Sequence, residues 1–189
     1  MDLLATPSQT VGPFFHLGLT TDARSVARMA SSQAKGQRVW LCCRVFDGEG
    51  LPVTDAMIEL WQADADSRYH CGNENAGADA ECPGFGRLAT DQEGRCEFET
   101  IKPGRVRGPD GALQAPHIAV AIFARGLLKQ LFTRIYFADD PSNAEDPGLA
   151  LVPADRRATL MARREPGRPG HWQFDINFQG EQETVFFDV

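Results

Sequence analysis

Two histidines spaced two residues apart on a strand would offer side-by-side imidazoles to a transition metal. One stretch comes within a single side chain of this: Pro116-His117-Ile118-Ala119-Val120-Ala121-Ile122-Phe123. Residues two apart share a strand face, so His117, Ala119 and Ala121 point one way, while Ile118, Val120 and Ile122 point toward a core. The chain thus offers one imidazole, and a methyl group where a second would stand. The other scarce donors are His16, His70, His171, Tyr69 and Tyr136. Tyr69 sits in a polar loop, where it could bind a metal or cap the loop. Tyr136, in Arg134-Ile135-Tyr136-Phe137, is most simply a sheet residue. A lone strand histidine is by default a hydrogen-bonded structural residue. No Ser-His-Asp order, phosphate-cradling glycine loop or His-Glu-x-x-His occurs.

The elements that must position these residues read as β. Val39-Trp40-Leu41-Cys42-Cys43-Arg44-Val45-Phe46 precedes the turn signal Asp47-Gly48-Glu49-Gly50, and residues 56–62 alternate Met57, Glu59 and Trp61 against Ile58 and Leu60. Residues 63–85 form a long loop holding Tyr69, His70, Cys71 and Cys82, a length that in a compact domain points to function or disorder. Residues 86–90 and 95–101 are expected to make a second hairpin around Asp91-Gln92-Glu93-Gly94. Ala124-Arg125-Gly126 should turn the His117 strand into another over 128–137. A helix is expected over 153–164, and two closing strands over 172–178 and 183–189. About eight short strands and one late helix predict an all-β antiparallel sandwich or barrel. It would occupy residues 38–189 and be preceded by an arm, 1–37, able to hold a short helix over 22–33. Val11, Phe14, Phe15 and Leu17 are costly to leave in water, so the arm should lie on its own barrel or on a partner subunit.

Bulk composition excludes several classes. At 189 residues, with 42% hydrophobic and 24% charged residues, the chain fits one soluble domain. A net charge of -7 disfavours a nucleic-acid surface, and no apolar run reaches the ~20 residues of a membrane span. Met1-Asp2-Leu3-Leu4-Ala5-Thr6-Pro7 has neither a basic nor an apolar secretory region, and five cysteines without a Cys-x-x-Cys read as reduced cytoplasmic thiols.

Several motifs, in order, resemble the intradiol ring-cleavage dioxygenases. They are Glu59-Leu60-Trp61-Gln62-Ala63-Asp64-Ala65, Ser67-Arg68-Tyr69, Phe85-Gly86-Arg87-Leu88-Ala89-Thr90-Asp91, Ile101-Lys102-Pro103-Gly104, Ala115-Pro116-His117-Ile118 and Phe174-Asp175-Ile176. Thr6-Pro7-Ser8-Gln9-Thr10-Val11-Gly12-Pro13-Phe14 and Gly180-Glu181-Gln182-Glu183-Thr184-Val185-Phe186-Phe187-Asp188 resemble one branch, the alpha-type chain of its two-chain enzymes. The resemblance implies a non-haem Fe(III) held by two tyrosines and two histidines, which activates a catechol toward O₂. Carried across, Tyr69 matches the first tyrosine and His117 the first histidine, whereas Val106 and Ala119 stand at the other two ligand positions. Gln114 stands where an arginine is expected. The chain is therefore expected to bind no catalytic iron itself and to carry no catalytic residue. It would pair with a homologous beta chain that holds Fe(III), in a hetero-oligomer of several alpha-beta protomers. On this view Thr10, Gly12, Pro13, Phe14 and Arg125 line the partner's site and help bind 3,4-dihydroxybenzoate, the Arg125 guanidinium drawing in the carboxylate. Two other readings stay open: a homomeric iron enzyme recruiting His70 or Tyr136, and a transthyretin-like binding module.

Overall fold

The computed structural model describes residues 6–12, 14–22, 25–70 and 82–188. Among these, eight strands follow a short helix α1 (Phe14–Leu19): β1 (Arg38–Phe46), β2 (Met57–Trp61), β3 (Phe85–Ala89), β4 (Arg95–Ile101), β5 (His117–Phe123), β6 (Leu131–Phe137), β7 (Met161–Arg164) and β8 (His171–Asn177). One-turn helix α2 (Pro147–Ala150) lies between β6 and β7. The hydrogen-bonded order is β3-β2-β5-β6-β7-β8-β1-β4, the all-β sandwich or barrel expected from sequence, but the pairing is mixed where antiparallel was expected: β1–β8 and β6–β7 run parallel and the other pairs antiparallel.

Alternation builds it. In β8 every second residue is buried, and Trp172, Phe174 and Ile176 meet Val39, Leu41, Cys43 and Val45 of β1 inside. Ile58, Leu60, Ile118, Val120, Ile122, Ile135 and Phe137 line the same core from the other half. The β5 alternation is therefore as read: its isoleucines and valine face in.

The open edges β3 and β4 are closed by the chain's own N-terminal segment. Val26 N–H donates to Arg87 O at 2.7 Å and Arg87 N–H returns to Val26 O at 3.0 Å, while Met29 N–H reaches Glu99 O at 2.8 Å. Met29 is fully buried. A Cβ at Gly86 would sit 2.8 Å from both Met29 Cγ and Phe98 Cδ1, so only glycine lets the plug enter. Where a helix was expected over 22–33, residues 26–29 instead bridge to β3 and β4, covering two sheet edges that a helix would leave unpaired; residues 23–24 lie outside the described residues.

Three other expectations change. Residues 153–164 hold only a 3-10 turn, Arg157–Leu160, followed by strand β7. That strand pairs with both β6 and β8, and so joins the two halves of the sheet, overriding helix propensity. β3 and β4 share the Asp91 turn but ladder with β2 and β1 respectively, so the turn is a corner between sheet halves, not a hairpin. Residues 183–188 form only an isolated bridge, Phe132 to Phe187, instead of a closing strand.

Candidate functional site

Strand register assembles the outer face of β5 row by row. His117 lies opposite Tyr136, and Ala119 lies between Trp61 of β2 and Arg134 of β6. Ala121 lies between Glu59 and Phe132. The Ala119 and Ala121 rows, with Trp61, Arg134, Glu59 and Phe132, floor an apolar-walled cavity of about 960 Å³, with Gln114, Pro109, Gly148, Leu151 and Phe187 around it; the His117 and Tyr136 row lies outside its lining. Glu59 is not free, because Arg87 holds it at 2.6 Å.

The loops carrying the expected metal positions meet at one end of this face. Asp64 Oδ1 accepts from the backbone of Asp66 and Arg68 at 2.9 Å each, and Asp64 Oδ2 lies 2.7 Å from His70 Nε2. Burial works to raise the Asp64 carboxyl, but these bonds outweigh it and hold the group below the usual carboxylate range. Gly104 N–H donates to Asp64 O at 2.9 Å, and a Cβ at Gly104 would meet Ala65 O at 2.6 Å, so the loop before Val106 is pressed onto the loop before Tyr69. Gln114 N–H then donates to Val106 O at 2.8 Å, bringing both beside the start of β5.

Ferric iron does not fit the side chains presented there. Val106 is a buried isopropyl group and Ala119 a methyl. His117 is buried, with Nδ1 2.9 Å from Ala115 O; burial holds its imidazole below the ordinary range, against the pull of that bond. Tyr69 is half-exposed. The alternative donors have other employment: His70 pairs with Asp64, and the fully buried Tyr136 hydroxyl donates to Asp146 Oδ1 at 3.1 Å. Burial pushes the Tyr136 phenol up to about 12, so it is not a ready phenolate.

Asp146 is a node the sequence reading missed. Its carboxylate accepts the backbone N–H of Ala115 and of Leu149, each at 2.7 Å, fixing the approach to His117 against α2. Arg134 was also missed. Its signal lies only in pairing, since nothing local places residue 134 opposite residue 119.

A second cluster forms at the far end of β5. Gly126 N–H donates to Thr10 Oγ1 at 2.8 Å, Arg125 is ion-paired with Asp55, and Phe15 packs on Phe123 with ring centroids 5.6 Å apart. Thr10 and Arg125 are therefore brought together, while Phe14 stays 82% exposed. Gly12 has open space around it within this chain, and Pro13 lies outside the described residues.

Comparisons with known proteins agree with this geometry. The family profile described as Dioxygenase matches residues 10–180. The protocatechuate 3,4-dioxygenase alpha chain of Burkholderia cepacia is 46% identical over 199 aligned positions, covering 99% of this chain and 98% of the relative. The beta chain from the same organism is 33% identical, over 94% of this chain and 77% of its own length. Among solved structures, the dioxygenase domain of a Streptomyces sp. SirexAA-E dioxygenase–carbohydrate-binding fusion shares the fold at a TM-score of 0.62 and 24% identity, covering 95% of this chain and 99% of that one.

Proposed function

The chain belongs to the intradiol ring-cleavage dioxygenase family, and we propose that within it the chain serves as an alpha-type subunit of an enzyme cleaving protocatechuate (3,4-dihydroxybenzoate). The ring opens between its hydroxylated carbons with O₂, giving 3-carboxy-cis,cis-muconate. Fe(III) belongs to a homologous beta chain with the complete tyrosine and histidine set, and the two chains assemble as several protomers in the cytoplasm. This chain contributes the wall built from Thr10, Gly12, Pro13, Phe14 and Arg125.

The observation that carries this reading is the near end-to-end match to an alpha chain. Two features of the structure support it: donor-free side chains at two metal positions, and the docking of Thr10 at the Arg125 turn. Exposed Phe14, Leu17 and Leu128 beside that turn are apolar surface of the kind a partner covers.

Co-expression with a beta-type chain tests the proposal. We expect iron and 3,4-dihydroxybenzoate-dependent O₂ uptake in the complex and neither in this chain alone. Deleting residues 1–14 should raise KM without dissolving the complex. A stoichiometric ferric centre with a tyrosinate absorption band in this chain alone, turning over substrate, would overturn the assignment.

A further inference from the structure

The cavity on the outer face of β5 retains one guanidinium that makes no direct ion pair among the described residues. Arg134 lines the cavity, and among the described residues no carboxylate lies within ion-pair distance of it. Its one hydrogen bond goes from Nη1 to the Tyr136 hydroxyl at 3.4 Å, and that hydroxyl stands between it and Asp146. The other charged groups facing the space are accounted for. Glu59 is held by Arg87, while Asp110 and Asp188 are exposed. Apolar groups supply the rest: Trp61, Phe123, Phe132, Leu151 and Phe187.

From this arrangement the geometry points to a metal-free binding site for an aromatic carboxylate, anchored by Arg134. Strands in a sheet lie ~4.8 Å apart, so Trp61 and Arg134, two strands distant across Ala119, start roughly 10 Å apart. The Ala119 methyl leaves that interval open. A single benzoate-sized ring spans it, with its π-face against Trp61 and its carboxylate in the planar fork of the guanidinium. An arginine fork recognises a carboxylate by two parallel N–H···O bonds, which a neutral amide cannot reproduce. The orientation follows from the row. The ligand's carboxylate lies beside Ala119, the position where the family presents a metal ligand, and its ring substituents point away. Vicinal hydroxyls therefore add nothing to affinity here, because Val106 and Ala119 bring no donor atoms to complete a metal site that would bind them. Every residue that lines the cavity is supplied by this chain.

Titration of the full-length wild-type chain with 4-fluorobenzoate, read by ¹⁹F NMR and by Trp fluorescence, tests this directly. Saturable one-to-one binding is expected, with 4-fluorobenzamide at least tenfold weaker and 3,4-dihydroxybenzoate within threefold of benzoate. Arg134→Gln should weaken the acid at least tenfold without changing the amide. Ala119→Leu, on an outer face of the sheet, should block both. Equal affinity for acid and amide, or an unaltered acid affinity in Arg134→Gln, would overturn the proposal. So would a requirement for vicinal hydroxyls. The titration is then repeated on the complex with a beta-type chain, using iron-depleted protein to silence the catalytic centre. Loss of the Arg134-dependent site there would show the partner's own residues filling the cavity, and would overturn the proposal for the assembled enzyme. These readouts do not depend on turnover, so a chain inactive with any partner still tests it.

Discussion

Restoring the missing donors should not by itself restore a metal site, and the reason is Arg134. Val106→Tyr with Ala119→His returns the family's set of two tyrosines and two histidines around Tyr69 and His117. Ala119, however, is the cross-strand partner of Arg134, and such partners carry their Cβ atoms roughly 5 Å apart. A ferric ion with two phenolates and two imidazoles carries a net charge of +1. With the ion and the guanidinium as close as those Cβ atoms, ~5 Å, two unit positive charges repel by about 3 kcal/mol at an effective dielectric of ~20, the upper bound for this pair. That is at most about a hundredfold in affinity. The double variant is therefore expected to take up ferric iron weakly, and addition of Arg134→Gln should strengthen binding by up to about a hundredfold. Metal content after dialysis against a graded chelator, together with the tyrosinate-to-iron absorption band, measures both. Thermal unfolding provides the control, because an added phenol at the buried position 106 can overpack by ~1–3 kcal/mol. Equal iron affinity in the double and triple variants would refute the electrostatic argument. A triple variant that binds no iron while folded would refute the wider claim that donor loss and one charge are what separate this site from a working one.

Three further outcomes follow from the same contacts. Tyr136 ionises at about 12 in the folded chain and near 10 when unfolded, so above pH 10 the unfolded state sheds a proton that the folded state keeps. Stability present below pH 10 should thus fall by up to about 3 kcal/mol as pH climbs toward 12, and urea titrations of Tyr136→Phe should lose that part of the slope. Asp146→Ala strands two buried backbone N–H groups and the Tyr136 hydroxyl, at ~1–3 kcal/mol per unsatisfied group. At ~2–4 °C per kcal/mol, calorimetry should find the midpoint lowered by about 10 °C or more, and Asp146→Glu should not rescue it if the short carboxylate reach matters. Arg125→Ala, in the complex with a beta-type chain, should raise KM for 3,4-dihydroxybenzoate about three- to tenfold and leave kcat unchanged. An equal effect on an uncharged catechol would sink the electrostatic role.

What could be read from sequence was whatever depends on neighbours along the chain. The alternation of His117 through Phe123 fixed which side chains face the core, and the chemistry of Val106 and Ala119 excluded them as ligands before any fold was known. What could not be read depends on neighbours across the sheet. The turn at Asp91 looks the same whether it joins paired strands or turns a corner between β3 and β4, because Asp91 Oδ1 caps Glu93 and Arg95 locally in either case. Leu160 and Met161 suit a helical stripe, yet in place they end a 3-10 turn and begin β7, where the lateral bonds to β6 and β8 decide. Arg134 is ordinary in a strand until register sets it against Ala119.

The same separation of faces explains how such a chain can keep its fold with donor-free side chains at Val106 and Ala119. Every hydrophobic side chain that β5 commits to the main core, Ile118, Val120, Ile122, lies on the face opposite His117 and Ala119. The close contacts that shape the site's loops are made by Asp64, Gly104 and Asp146 through backbone hydrogen bonds. None of these passes through a metal ligand. An imidazole exchanged for a methyl at 119 removes no core contact and orphans no buried backbone group, so the barrel has no energetic stake in the ion. The metal positions are therefore free to change while the surrounding cavity, loops and arm persist. A chain built this way can serve as a wall for another chain's chemistry, and the cavity it keeps is shaped by its own arginine.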